Sequence, residues 1–285
     1  MGDSRFLKQL FTFFLVERHA IVDLGLKGKV ALITGGSRGI GLRTARLFAA
    51  EGCNVALCGR DVDALNSAAA ELRQVGVQVA AIQGDVTDAT EAAQVVEQCV
   101  AELGGIDILI NNVGGATGGT LMEETDEDWQ HTFELNVFQI IRMIRLAAPH
   151  MRERGGGAIV NIASISGWEE QLVGSAQYGS SKAAQIFLTE RLALELVHDN
   201  IRVNTVSPGS IIWEDGSWDR FRQGNPESYA NYIKDGFPMG RLGKPEEVAD
   251  VIVFMASPRA NWVNGRHIPV DGLEQPAPVR ERRPW

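Results

Sequence analysis

Tyr178 and Lys182 stand four residues apart in a stretch of helical patterning, 177–198, so their side chains share one helix face. A phenol with an ordinary pKa of about 10 exchanges protons poorly at neutral pH. A nearby ammonium stabilises the phenolate and brings that value down, which suits the pair to general acid–base work. Far upstream runs Thr34-Gly35-Gly36-Ser37-Arg38-Gly39-Ile40-Gly41. It follows the apolar Val30-Ala31-Leu32-Ile33 and precedes a helix-like stretch from Leu42 to Ala50. In a strand–turn–helix setting such glycines let the backbone turn tightly. They also let a pyrophosphate approach the helix N-terminus, where free N–H groups favour an anion.

These groups need a scaffold that brings distant segments together. Apolar runs at 29–34, 54–58, 77–83, 106–111, 157–163, 201–206 and 267–270 read as strands. Helical patterns fill 40–51, 62–74, 89–103, 127–152, 177–198 and 245–256 between them. The alternation predicts an α/β fold: one doubly wound, Rossmann-type domain over 26–273, a seven-stranded parallel sheet with helices on both faces. The segment 210–240 breaks the pattern, with Trp213, Trp218, Phe221, Tyr229, Tyr232 and Phe237 among Gly, Pro and charged residues. An insertion after a strand's C-terminal end lies where such sheets bind ligands, and it is read as the substrate loop. The Pro- and Arg-rich tail 274–285 is read as weakly ordered.

Composition narrows the functions. A chain of 285 residues, 45% apolar, can bury one large core. A net charge of −9 argues against a nucleic-acid partner. Cys53, Cys58 and Cys99 form no CxxC pair and the five histidines are scattered, so no metal site is expected. The apolar stretch Phe6 to Val16 is too short to span a bilayer, and no small-residue cleavage site follows it. Residues 1–25 are read as a loosely held extension, with a peripheral membrane anchor or an oligomer contact as alternatives.

Taken together, the motifs resemble the short-chain dehydrogenase/reductase family over residues 28–273. Thr34, Gly35, Gly39 and Gly41 meet its TGxxxGxG spacing, and Asp85-Val86 matches its adenine-side acid. Asn111-Asn112-Val113-Gly114 matches its NNAG segment with Val for Ala, and Ser207-Pro208-Gly209 its turn beside the nicotinamide. Asn136, Ser164, Tyr178 and Lys182 match its catalytic tetrad. The resemblance implies a nicotinamide cofactor held by Gly35, Ser37, Arg38, Gly39, Ile40, Gly41, Arg60, Asp85, Val86, Asn112, Gly114, Tyr178, Lys182, Pro208, Gly209 and Ile211. It implies Tyr178 as acid/base, Ser164 polarising the carbonyl, Lys182 also on the nicotinamide ribose, and Asn136 holding a water. Ser166, two residues on, competes with Ser164, and the interval from Ser164 to Tyr178 is one residue longer than the family's commonest.

The second strand ends Leu57-Cys58-Gly59-Arg60, with glycine where a ribose-binding acid would stand. Arg60 and Arg38 can converge on a 2′-phosphate, so NADP is expected, NADPH in preference to NADH. Asp61 is preferred as an N-cap over a role as the ribose acid. Many relatives carry a threonine near Trp213 that contacts the carboxamide; here the contact falls to the Ile211 backbone or Ser210, or is absent. The general likeness is to β-ketoacyl-carrier-protein reductases. A free ketone or aldehyde is preferred because Glu214 and Asp215 stand at the mouth and only Arg152 and Arg154 offer a basic docking face. Carrier-protein reduction, NAD(P)-dependent alcohol oxidation and a silent cofactor sensor remain alternatives. The three cysteines read as buried thiols of a reducing cytoplasm, and the resemblance implies a homotetramer.

Overall fold

The computed structural model describes residues 23–169 and 175–275. The expectations for the stretch Phe6 to Val16 and for the tail beyond Gln275 lie outside the described residues. Seven strands form one parallel sheet: β1 (Val30–Thr34), β2 (Asn54–Gly59), β3 (Val79–Gln83), β4 (Ile108–Asn111), β5 (Gly157–Ile162), β6 (Ile201–Pro208) and β7 (His267–Val270). Their order is β3-β2-β1-β4-β5-β6-β7, so the winding reverses between β1 and β4. A crevice opens at such a reversal, outside the carboxyl ends of the strands.

The strands alternate apolar side chains between two buried faces, the pattern a doubly covered sheet requires. On one face Ala31, Ile33, Val55 and Leu57 pack with Phe48 of helix α1 (Gly39–Ala50), Leu65 of α2 (Val62–Arg73) and Val248 of α9 (Pro245–Ala256). On the other, Leu32, Ala56 and Leu109 pack with Val95 of α3 (Ala89–Leu103), Met143 of α5 (Gln139–Glu153) and Ala193 of α6 (Ala176–Leu196). Carboxylates close two helix starts. Asp61 accepts the Ala64 N–H at 3.1 Å and Asp88 accepts those of Thr90 and Glu91. Asp61 is therefore the cap of α2.

The continuous helix expected over 127–152 is two helices, α4 (Asp126–Phe133) and α5, joined by a π turn at Glu134–Phe138. A π turn adds a residue without interrupting the apolar face, so periodicity conceals it. The loop 210–240 contains two unforeseen helices, α7 (Ser217–Gly224) and α8 (Pro226–Gly236). Glu274, assigned to the tail, is instead buried at 2% exposure and belongs to the domain. All three cysteines are buried and unpaired, and burial pushes each thiol up to about 12, which keeps them unreactive.

At the opposite edge of the sheet Asp107 ties three elements together. Its carboxylate accepts the Val30 N–H at 2.9 Å, Arg154 Nη2 at 2.8 Å and Lys29 Nζ at 3.3 Å. Burial opposes its charge, but the Arg154 and Val30 hydrogen bonds and the cations beside it outweigh that, and the carboxyl is held below the ordinary range. A depressed folded pKa contributes stability above the unfolded value of about 3.9 that is lost as pH falls through the folded one. Asp107→Asn should cost about 2 kcal/mol at pH 7, less than a fully buried pair because both cations are partly solvated. That corresponds to roughly 4–8 °C in Tm. The gap between the two proteins should close below about pH 4; melting curves showing a constant gap would assign the loss to packing instead.

Candidate active site

The crevice at the β1/β4 reversal is a cleft of about 610 Å³. Its floor is the glycine turn between β1 and α1. A Cβ on Gly41 would run into the Gly35 carbonyl, so only glycine lets the helix start this close to the strand. The turn is braced from β4: Asn112 Nδ2 donates to the carbonyls of Thr34 and Gly35 at 3.0 and 3.1 Å. The Asn112 N–H in turn donates to Thr34 Oγ1 at 3.0 Å. Gly35, Ser37, Arg38, Gly39 and Ile40 all face the cleft, as do Asn112 and Gly114. Gly41 lies behind them as packing.

At one end the cleft is bordered by Gly59, Arg60, Asp85 and Val86, with Arg38 across from them. The Arg60 side chain is 77% exposed, with Nη1 3.5 Å from Asp85 Oδ2. Burial works against the Asp85 charge, but hydrogen bonds from Thr87 and the Arg60 charge leave its carboxyl below the ordinary range. Asp61 borders the same end of the cleft, and its Oδ1 caps α2 by accepting the Ala64 N–H at 3.1 Å.

At the other end Ser164, Tyr178 and Lys182 meet, with Pro208, Gly209 and Ile211 closing the wall. Ser164 follows β5 and lines the cleft, its Oγ donating to Ser166 Oγ at 3.3 Å and accepting the Ser166 N–H at 3.2 Å, whereas Ser166 lies in the adjacent 3-10 turn and does not line the cleft. Lys182 is 2% exposed and donates to the Ile162 carbonyl at 2.9 Å. Burial pushes its amine down to about 7. Burial also pushes the Tyr178 phenol up, with the Ser164 bond opposing it. The expected lowering of the phenol by the lysine is thus not seen: Nζ lies 5.6 Å from the ring centroid and is itself poorly solvated.

Asn136 sits in the π turn, fully buried, and does not reach the cleft surface. Its side chain binds Gly115 twice, Nδ2 to the carbonyl at 2.6 Å and Oδ1 from the N–H at 3.1 Å. A Cβ on Gly114 would lie 2.8 Å from Asn136 Oδ1 and 2.9 Å from Lys182 Nζ, so the two groups flank a residue that must be glycine. The Asn136 carbonyl accepts Gln185 Nε2 at 2.5 Å. Gln185, on α6 with Tyr178 and Lys182, was missed; only its helical spacing from Lys182 could have marked it.

The loop aromatics largely pack on one another. Trp218 stacks on Tyr232 with centroids 4.8 Å apart, and Tyr232 meets Phe237 at 5.1 Å. Only Trp213 and Trp218 of this group line the cleft, and the Trp213 ring lies against Gly39. The Ser210 hydroxyl is committed to Glu274 at 2.8 Å, and Ile211 pairs with Gly243 beside the cleft. A second cavity, about 670 Å³, opens at the far edge of the sheet around Asp107 and holds none of the predicted site residues. Among the described residues no group of His, Cys, Asp and Glu could hold a metal, and no helix is long and apolar enough to cross a membrane.

The family model for short chain dehydrogenase matches residues 29–214. The 7alpha-hydroxysteroid dehydrogenase of Escherichia coli strain K12 is 35% identical over 88% of this chain and 95% of its own length. The 3-oxoacyl-acyl-carrier-protein reductase of Thermotoga maritima is 37% identical over 87% and 98%. Among solved structures, L-sorbose reductase from Gluconobacter frateurii, complexed with NADPH and L-sorbose, superposes with a TM-score of 0.83 at 39% identity, covering 88% of this chain and 98% of that one. A 7 alpha-hydroxysteroid dehydrogenase complexed with NADH and 7-oxo glycochenodeoxycholic acid gives 0.82 at 34% identity, covering 89% and 96%. Glycine turn, buried lysine and relatives agree: the chain belongs to the short-chain dehydrogenase/reductase family, NAD(P)-dependent oxidoreductases that act on CH–OH and C=O groups.

Proposed function

We propose that this protein reduces a free ketone or aldehyde to an alcohol with NADPH. The observation that carries the reading is the pairing, in one cleft, of Ser164, Tyr178 and Lys182 at one end with Arg38 and Arg60 beside an uncharged Gly59 at the other. The residues fit the dinucleotide. The glycine turn and the start of α1 would hold its diphosphate, Val86 would border the adenine, and Lys182 would hold the nicotinamide ribose. The cofactor supplies the hydride when bound. Ser164 orients and polarises the substrate oxygen, and Tyr178 gives it a proton from the phenol. Burial raises the phenol's pKa, so in the free protein Tyr178 holds at neutral pH the proton that reduction requires. Asn136 braces the loop at Gly115 against Lys182 rather than touching substrate.

A carrier-bound substrate is disfavoured because the available cations are engaged. Arg152 makes a two-pronged pair with Asp199 at 2.7 and 2.5 Å, and Arg154 is tied to Asp107. The expected homotetramer draws support from apolar side chains left outside: Phe138, Phe187 and Leu194, 49%, 81% and 62% exposed, and Trp262 near β7. The cytoplasmic setting rests on the three reduced, buried thiols.

A carbonyl panel assayed for NADPH and NADH oxidation tests the reading. Arg60→Ala should raise KM for NADPH about tenfold or more, the worth of a charge-assisted contact, and leave NADH nearly unchanged. Equal use of both cofactors by the native protein contradicts the assignment. Tyr178→Phe should retain NADPH binding and lose at least roughly a hundredfold in kcat. With the Lys182 amine at about 7, its ammonium is lost as pH rises, so kcat/KM for NADPH should fall from neutral pH upward. A flat profile between pH 6 and 9 would show that the lysine charge is not used. Light scattering on the eluted protein should give four times the 31.0 kDa chain mass; a persistent monomer refutes the tetramer.

A further inference from the structure

Glu274 is a carboxylate that the proposed chemistry does not use, yet it is buried at 2% exposure. Oε2 accepts the Ser210 N–H at 2.6 Å, and Oε1 accepts the Ser210 hydroxyl at 2.8 Å and the Tyr232 hydroxyl at 2.9 Å. Burying a charge is costly unless several donors meet it, and here three do. Burial nonetheless raises its pKa above the ordinary carboxylate range, with the Ser210 and Tyr232 bonds opposing and Asp271 adding to the rise. A group retained at such a cost has a structural consequence to account for it.

That consequence lies in what the three donors belong to. Ser210 continues the turn after β6, directly between Gly209 and Ile211, both of which line the cleft beside Tyr178. Tyr232 sits at the centre of α8 and stacks flat on Trp218, the aromatic side chain that lines the facing wall. The chain itself is held where Glu274 needs it, because the Gln275 N–H donates to the Gly236 carbonyl at the end of α8 at 2.8 Å. One carboxylate therefore joins both walls of the cleft's substrate end.

We propose that Glu274 is a positioning residue that sets the separation between the Pro208–Ile211 turn and the Trp218 wall, and through it the fit of the carbonyl substrate. The inference rests on the reading that the carbonyl enters between these walls. Hydrogen-bond geometry, rather than charge, is what the position requires. A glutamine can place its oxygen toward the Ser210 N–H and its NH₂ toward the two hydroxyls, both of which can accept. An alanine removes the acceptor of the Ser210 N–H and the one that both hydroxyls share, leaving Ser210 Oγ and Tyr232 Oη to meet each other at 3.3 Å.

The test compares Glu274→Gln and Glu274→Ala with the native enzyme on the best carbonyl of the panel. Glu274→Ala should raise KM for the carbonyl about tenfold, since hydrogen bonds to a charged group are at stake, and change the NADPH dissociation constant, read by NADPH fluorescence, by less than about twofold. Glu274→Gln should restore KM to within about threefold of native. Trypsin should cut at Arg220, Arg222 or Lys234 faster in Glu274→Ala than in the native chain or in Glu274→Gln. This readout needs no turnover, so it separates the fate of the latch from that of the functional reading. A native protein that turns over no carbonyl refutes the function, whereas unaltered trypsin sensitivity refutes the latch. A folded Glu274→Ala with native KM, or a Glu274→Gln as impaired as the alanine, overturns the proposal. Should the alanine variant not fold, Tyr232→Phe removes the hydroxyl that meets Glu274 and Ser210 and keeps the ring. It should raise the carbonyl KM about threefold, and a native KM there overturns the proposal equally.

Discussion

The burial of one amine, that of Lys182, is the constraint around which the site is built. At 2% exposure, with a backbone carbonyl as its one hydrogen-bond acceptor among the described residues, the ammonium is poorly compensated, and its pKa falls to about 7. Nothing in the sheet needs a lysine there; a methionine would fill the volume without the desolvation cost. The surroundings are shaped to keep it in place. α6 carries it against β6, Gly114 leaves room for Nζ, and the π turn brings Asn136 to the opposite side of that glycine. The π turn and Gly114 thus frame the cation seated at the end of β5. Strained local structure of this kind belongs at functional sites and is tolerated because the rest of the fold is stable.

A second charge network closes the opposite ends of the central strands. The Asp107 network joins β1, β4 and the end of α5, where the carboxylate is met by a backbone N–H and two cations. The contrast with Lys182 is one of compensation. Asp107 gains donors enough to lower its pKa, while burial of Lys182 outweighs its bond to the Ile162 carbonyl and its pKa moves toward neutrality. A parallel sheet has this polarity built in: strand starts can be closed by charge networks and helix ends, while strand ends open at the winding reversal. The two cores that fill the space between the edges are apolar and complete, so the ends can differ without loss of the middle.

Most of the scaffold was legible because it depends on local pattern. Strands buried on both faces read as apolar runs, and each called strand is present to within two residues at its ends. The glycine turn, Ser164, Tyr178 and Lys182 were readable as side chains at fixed places on a strand–turn–helix frame. What stayed hidden depends on contacts distant in sequence. The π turn leaves the apolar spacing of 127–152 intact, so only Asn136's bonds to Gly115 reveal it. The helix α7 is too polar to show a buried stripe, although Pro226 at the start of α8 was a usable signal. Glu274 reads as a solvated charge beside a proline-rich end; its burial depends on Ser210 and Tyr232, neither of which is near it in the chain. The perturbed lysine and phenol likewise reflect burial, which residue type cannot announce.

The cofactor end shows how a weak contact can serve selectivity. In this structure Arg60 leans on Asp85 at 3.5 Å with 77% of its side chain in solvent. Such an exposed pair is worth about 0–1 kcal/mol. A dianionic 2′-phosphate offers a guanidinium shorter, charge-assisted bonds of roughly 1.5–3 kcal/mol. Under the proposed NADPH preference, moving Arg60 from Asp85 to the phosphate would release more than it costs, and Arg38 would add a second guanidinium from the glycine turn. A ribose hydroxyl in place of the phosphate would give the two guanidinium groups no such return, and Gly59 has no side chain to accept from it. Discrimination then arises as a difference between two states of one arginine, and Asp85 keeps that arginine near the site without holding it.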